Sequence, residues 1–263
     1  RERLRIIKQH FFNREYTAIF TNPDLLPVYA AEYIPGRALC YRSLFIRIKE
    51  LRDVLSGRGQ FVFCLGAGNG SEVVGIAAAM VGLRLAGGAN AGGGASEPEV
   101  EVHCQDLSSY DPVMSLLDSA IRSTWSIPQS TLTLSTSVSD LLDGDPANQA
   151  ALAAHLARAH LVTAMFVLNE LLATSKSGFV KLVTALVTHM PKGSLLLVVD
   201  SAGSFSDAKV GAGQYKVYTL LDAVQGLEAV VKEDSVWYRY PDGLNYPTKI
   251  QNMRHFVRLY RRT

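Results

Sequence analysis

FVFCLGAGNGSEVVGIAAAM, residues 61–80, decides how the rest of the chain is read. Its first five residues form a continuous apolar run, the pattern of a strand buried on both faces of a parallel sheet. Gly66, Gly68 and Gly70 follow, and SEVVGIAAAM then takes up the spacing of a helix rich in small residues. Glycines directly after a first strand let the backbone turn tightly and let a ligand approach where any Cβ would collide. The N-terminus of the following helix offers free N–H groups to polar or anionic atoms. The pattern is irregular, because G-A-G-N-G-S puts Ser71 where a dinucleotide-binding turn carries Gly or Ala. A strand-to-helix turn without a ligand is therefore the competing reading.

Outward from this stretch, strand and helix patterns alternate. VEVHCQDL reads as the second strand, PVMSLLDSAIRSTW as a helix, and STLTLSTSVSDLL as a strand passing into a turn. ANQAALAAHLARA is helical, HLVTAMFVLNEL a strand running into a turn, and SGFVKLVTALVTHM a helix. GSLLLVVDSA is the cleanest strand, and VVKEDSVWYRYP and MRHFVRLYRR predict two more across a loop marked by Pro and Gly. Such alternation predicts a doubly wound α/β sheet over residues 58–263. Residues 1–57 predict a helical N-terminal extension, with helical runs broken at TNPDLLP and YIPGR. LAGGANAGGGASEPE, residues 85–99, has no apolar period and reads as a flexible insertion.

The chain has 263 residues, 48% hydrophobic and 19% charged, which is globular composition. No apolar run reaches the roughly 18–20 residues of a membrane span, and the basic start RERLRIIKQHFFNREY lacks a signal-peptide pattern. Three scattered cysteines, Cys40, Cys64 and Cys104, without a CxxC, argue against a disulfide framework or zinc site and for a reducing compartment. No His pairs with Asp or Cys at metal-ligand spacing. Net charge is only +2, yet the ends are basic: Arg1, Arg3, Arg5, Lys8 and Arg14, then Arg254, Arg258, Arg261 and Arg262. Such flanks either meet phosphates or solvate surface elements.

Two ligand classes fit the glycine turn. A nicotinamide dinucleotide and S-adenosylmethionine (SAM) both carry an adenosine ribose, and both want a carboxylate at the end of the second strand. Asp106 can fill that role once residues 85–99 are discounted, so it does not discriminate. The end of the chain does. A closing antiparallel hairpin resembles the seven-strand SAM methyltransferase sheet, whereas a dehydrogenase would continue into a substrate domain. Ser139 and Asp140, at the end of the third strand, stand where that superfamily contacts adenine.

Four segments carry a narrower resemblance: YIPGRALCYRSLF (33–45), FVFCLGAGNGSEVVG (61–75), EVHCQDLSSYDPV (101–113) and AMFVLNELL (164–172). As an ordered set they resemble the fungal 25S rRNA uridine-N3 methyltransferase family. The resemblance runs from about residue 30 onward. It implies a Rossmann-like class I SAM-dependent methyltransferase fold, SAM as cofactor, large-subunit ribosomal RNA as substrate and a nucleolar location. It also implies that Gly66, Ala67, Gly68, Gly70, Glu72, Asp106, Ser139 and Asp140 bind the cofactor. In one respect the chain departs: the acidic residue usual two positions before the first glycine is Cys64 here. Glu72, in the first turn of the helix, can substitute or can simply complement the helix end.

In this fold the end of the fourth strand faces the sulfonium, which makes Phe166, Asn169 and Glu170 the catalytic candidates. Methylating uracil N3 requires removal of the imide proton and a base held flat. A carboxylate accepts the proton, an amide bonds a carbonyl edge and an aromatic ring stacks. Each also has a structural role open to it: core packing for Phe166, helix capping for Glu170 and a local turn bond for Asn169. Asp200 is a secondary candidate. Arg37, Arg42 and Arg47, interleaved with Tyr33, Tyr41 and Phe45, are the expected RNA-binding group, although helical spacing also lets Tyr41 and Phe45 pack inward. No metal and no membrane partner is expected, and the chain is read as a monomer. Two other readings stay open: a SAM-dependent enzyme for a protein or small molecule, and a catalytically silent SAM-fold module that binds in ribosome assembly.

Overall fold

The structure, a computed structural model, describes residues 2–86, 99–203, 208–210, 213–247 and 249–263. Most of the 85–99 insertion thus lies outside the described residues. The helix after the glycine turn, read over SEVVGIAAAMVGLRL, runs to Ala86.

Four helices come first: α1 (Glu2–Asn13), α2 (Tyr16–Phe20), α3 (Leu26–Arg47) and α4 (Lys49–Ser56). Two expectations change here. YIPGR does not break the helix, and Pro35 lies inside α3. Proline removes the N–H that would bond Ala31, and the Tyr246 hydroxyl reaches that carbonyl instead, at 3.3 Å. The run expected to be continuous through residue 55 is divided at Ile48, whose extended backbone (ψ 120°) turns α4 away. Tyr41 and Phe45 are fully buried, so these two rings pack in the core.

Five parallel strands then alternate with helices. They are β1 (Gln60–Leu65), β2 (Val100–Asp106), β3 (Leu132–Val138), β4 (Leu161–Met165) and β5 (Leu195–Ser201). The connecting helices are α5 (Ser71–Ala86), α6 (Asp111–Trp125), α7 (Pro146–Arg158), and the pair α8 (Leu168–Thr174) and α9 (Lys176–His189). A two-stranded ribbon, β6 (Ala208–Val210) with β7 (Gly213–Tyr215), and a short α10 (Val217–Leu221) follow. β8 (Leu227–Tyr238) and β9 (Met253–Arg262) close the chain. The sheet order is β3-β2-β1-β4-β5-β9-β8, with β9 antiparallel to both its neighbours. This is the expected seven-strand sheet with its terminal hairpin.

The pleat sends alternate residues of β1 to opposite faces. Val62 and Cys64 join a core formed with α3, α4 and α5, while Phe61, Phe63 and Leu65 join one formed with α7, α8 and α9. A small separate cluster, Ile7, Ile19, Leu25 and Tyr29, holds the first helices together. The segment HLVTAMFVLNEL, read as a strand running into a turn, is a strand only to Met165, and Asn169 and Glu170 lie in the first turn of α8.

Candidate active site

From β1 the chain moves one way along the sheet to β2 and β3, then crosses to β4 on the other side. At such a switch point the connections leave in opposite directions and open a crevice beyond the strand ends. The glycine turn closes one wall of it. Gly66 has φ +60° and Gly68 φ +33°, backbone that side chains rarely adopt. A Cβ at Gly66 would stand 2.4 Å from Val167 Cγ2, so only glycine lets β1 and the β4–α8 turn approach this closely. Opposite, Phe166 also has a left-handed backbone, φ +58°, an outlier for an aromatic residue and typical of functional turns.

The cavity has a volume of about 300 Å³, at the small end for ligand pockets. Gly66, Ala67, Gly68 and Glu72 line it from the glycine turn; Asp106 and Asp140 from the ends of β2 and β3; Phe166 and Glu170 from β4–α8. Arg37 completes the wall from α3. Tyr16, Phe20 and Tyr29 cover it from the N-terminal helices, and the Ser108 hydroxyl donates to the Phe20 carbonyl, tying that cover to the turn after β2.

Several expected residues fall outside it. Gly70 does not line the cavity: a Cβ there would meet Leu117 and Met114 at 2.7 and 2.8 Å, so it serves α5–α6 packing. Ser139, half-buried with its hydroxyl enclosed, the buried Asp200 and Asn169 are not in the lining. Asn169 donates its backbone N–H to Asp200 at 3.2 Å. Its carboxamide sits near enough to favour the ionised Asp200, yet neither end completes a well-aligned hydrogen bond. Arg37 is the largest correction. It does not share an outer face with Arg42 and Arg47 but turns inward, donating to the Tyr29 hydroxyl at 2.6 Å and lying 4.9 Å over the Phe166 ring. Arg47 pairs with Glu233 at 2.5 and 2.9 Å, whereas Arg42 is exposed alongside Gly82 of α5. The cover of Tyr16, Phe20 and Tyr29 was not foreseen; its signal was the break TNPDLLP, which folds α2 back toward α3.

Charge is concentrated in this crevice. Burial pushes the Glu72 carboxyl up to about 8, against its own backbone hydrogen bond and the nearby Arg37. Asp106 rises to about 6 for the same reason, held down in part by the Ser108, Gly68 and Leu107 N–H groups. Burial, then the neighbouring Asp200, raise Glu170 well above the usual carboxylate range, and Arg37 offsets part of this. Burial opposes charge on Arg37 as well, but Tyr29, Tyr41, Glu170 and Glu72 more than offset it.

This donor set fits SAM. Asp106 accepts the Gly68 N–H at 2.8 Å and the Ser108 N–H at 3.1 Å, which leaves carboxylate lone pairs for ribose hydroxyls. Glu72 is a buried acid in the cavity wall, and the Asn69 side-chain amide is buried without an acceptor. Over residues 1–261 the chain matches the profile of a family of SAM-dependent methyltransferases. The chain belongs to that family.

This methyltransferase is 26% identical, over 98% of its length and 77% of the relative's, to the 25S rRNA (uridine(2843)-N(3))-methyltransferase of Saccharomyces cerevisiae. Among solved structures it is similar to a SAM-dependent methyltransferase from Methanosarcina mazei, with 10% identity, TM-score 0.47 and coverage of 82% of this chain and 97% of the other. Another, from Clostridium acetobutylicum, gives 12% identity, TM-score 0.47 and coverage of 84% and 91%. The enzyme uses SAM as its methyl donor. Among the described residues there is no group of three His, Cys, Asp or Glu placed to hold a metal, and no helix long and apolar enough to cross a membrane.

Proposed function

We propose that this methyltransferase modifies a base of large-subunit ribosomal RNA, at uracil N3, in the nucleolus. The observation that carries the reading is Glu170, a buried carboxyl of raised pKa at the β4 end of the donor cavity, beside the Phe166 ring. An imide N–H acceptor needs such a group, because its proton must leave as the methyl arrives. The activity named for the yeast relative supports the same reading.

Bound SAM supplies an electrophilic methyl group on a sulfonium. In this assignment Gly66, Ala67 and Gly68 cradle it, Asp106 holds its ribose, Asp140 bounds the adenine end and Glu72 meets its α-ammonium. Ser139, Gly70 and Asn169 support that wall from behind. Glu170 takes the imide proton at its carboxylate, and Arg37 favours the ionised form that can do so. Phe166 keeps the base flat. Arg42 meets the phosphate backbone, with Arg47 joining it only where Glu233 releases it.

Mass spectrometry of nucleosides from large-subunit rRNA, with and without the protein, tests the substrate: N3-methyluridine should be lost at one position. Glu170→Gln keeps the shape and removes the base. Methyl transfer should fall about 10²–10⁴-fold and recover partly at high pH, with SAM affinity unchanged by calorimetry. Full activity in Glu170→Gln would remove Glu170 from the mechanism.

A further inference from the structure

A second cavity, about 240 Å³, backs onto the donor site, and Arg37 and Phe166 belong to the walls of both. Its other walls come from parts of the chain far apart in sequence: α1 and α3 on one side, and the β8–β9 connection on the other. Three of the half-buried lining residues are aromatic, Tyr33, Tyr240 and Phe166, beside Arg37, Glu32 and the apolar Ile250 and Met253; the exposed ones include Lys249 and Lys8, the latter paired with Glu32 at 3.4 Å. The connection is seated by specific contacts. Gly36 leaves room for Tyr240, whose hydroxyl would stand 2.9 Å from a Cβ there. The Tyr240 N–H donates to the Asn252 side chain at 3.1 Å, and Tyr246 takes the Ala31 carbonyl freed by Pro35.

We propose that this cavity receives the acceptor nucleotide: a flipped-out pyrimidine of single-stranded RNA. The inference rests on the RNA reading above and names the place where that substrate binds. Aromatic walls stack on a base of any sequence, and ammonium groups at the mouth meet its flanking phosphates. A base seated here lies against Arg37 and Phe166, which line both cavities, and its N3 edge reaches the donor site and Glu170 once these two side chains part. The outer face of Arg42 and Arg47 then has at most an accessory role.

Photo-cross-linking with an oligonucleotide of the acceptor region carrying 5-iodouridine, mapped by mass spectrometry on the full chain, tests the placement. Cross-links should fall on Tyr33, Tyr240 or Phe166. Tyr240→Ala should raise the KM for rRNA by roughly 5- to 100-fold, as loss of one stacked base implies, with SAM affinity unchanged by calorimetry. Tyr240→Phe, which keeps the ring, should restore it. Cross-links confined to the Arg42 face, or a Tyr240→Ala variant with parental KM, would overturn the site while leaving the RNA reading intact. A parent enzyme that neither methylates rRNA nor cross-links to it would overturn both, and transfer to a protein acceptor instead would do the same.

Discussion

Glu72 is neutral in the folded chain under conditions where an unfolded chain has released its proton. Its ordinary value is 4.5 and its folded value about 8. Between those limits the native state binds more protons than the unfolded one, so stability falls as pH rises through this window. Chemical denaturation of the ligand-free protein from pH 5 to 8 should therefore show a decline on the order of a few kcal/mol, and Glu72→Gln should make it shallower, the remainder coming from Glu170, Asp106 and Asp200, which burial raises as well. A slope unchanged in Glu72→Gln would place the titration elsewhere, with Asp106 and Asp200 next. In the proposed assignment SAM brings its α-ammonium to this acid and so favours the ionised form. Binding near neutral pH should release a proportion of a proton, visible as a dependence of calorimetric enthalpy on the buffer. Of the cavity-lining residues, Gly66, Gly68 and Asp106 were legible because a strand–turn–helix unit puts them at fixed points, whereas Gly70 serves packing instead. The environment of Glu72 was not. Its burial comes from α3, which no local pattern places over α5.

At the scale of elements, α3 departs most from its sequence. Pro35 and Gly36 carry the usual signal of a break, and the helix runs through them. Tertiary contact outweighs propensity here: Tyr41, Leu44 and Phe45 are buried against the sheet, and Tyr246 satisfies the carbonyl that proline leaves open. Two substitutions separate these effects. Pro35→Ala restores an internal N–H donor and should stabilise the chain by about 1–3 kcal/mol. Tyr246→Phe deletes the substitute donor and should cost about 0.5–1.5 kcal/mol. Urea unfolding checks both; a destabilised Pro35→Ala would show that the proline sets the course of α3. The fourth strand was misjudged in the same region for the opposite reason. AMFVL, residues 164–168, is apolar throughout, so periodicity alone could not tell where the strand stops. The left-handed Phe166 ends it.

For the molecule as a whole, the sequence's basic C-terminal flank is internal at Arg258 and half-buried at Arg261 and Arg262, and only Arg254 is exposed. Arg258 is buried, bonded to Asp222 at 3.3 Å and Asp234 at 2.5 Å and stacked 4.1 Å over Tyr218. Arg262 donates to the Val187 carbonyl at 2.6 Å. Charge counted along a chain carries no information on which side of a strand it points, and that is why this flank read as a surface. Arg258→Ala removes a buried guanidinium and its charge-assisted hydrogen bonds, while Asp222 keeps Lys232 at 3.7 Å and the Tyr260 hydroxyl at 2.8 Å, and should cost about 1–3 kcal/mol. The salt slope of RNA binding should stay as it is, since no phosphate contact is lost. The strand alternation and the closing hairpin were legible, because each strand's apolar run must be covered on both faces. The insertion of β9 between β5 and β8 was legible only through the resemblance. Its consequence belongs to synthesis on the ribosome. Five strands can assemble in the order they emerge, but β8 reaches the sheet only through β9, which is made after it. Until then both β5 and β8 present unpaired edges, the kind that recruit other chains. A premature stop shortly before Met253 would therefore remove one strand and strand another. Such an allele should behave as a loss of soluble protein, with nothing of a partly active enzyme left to measure.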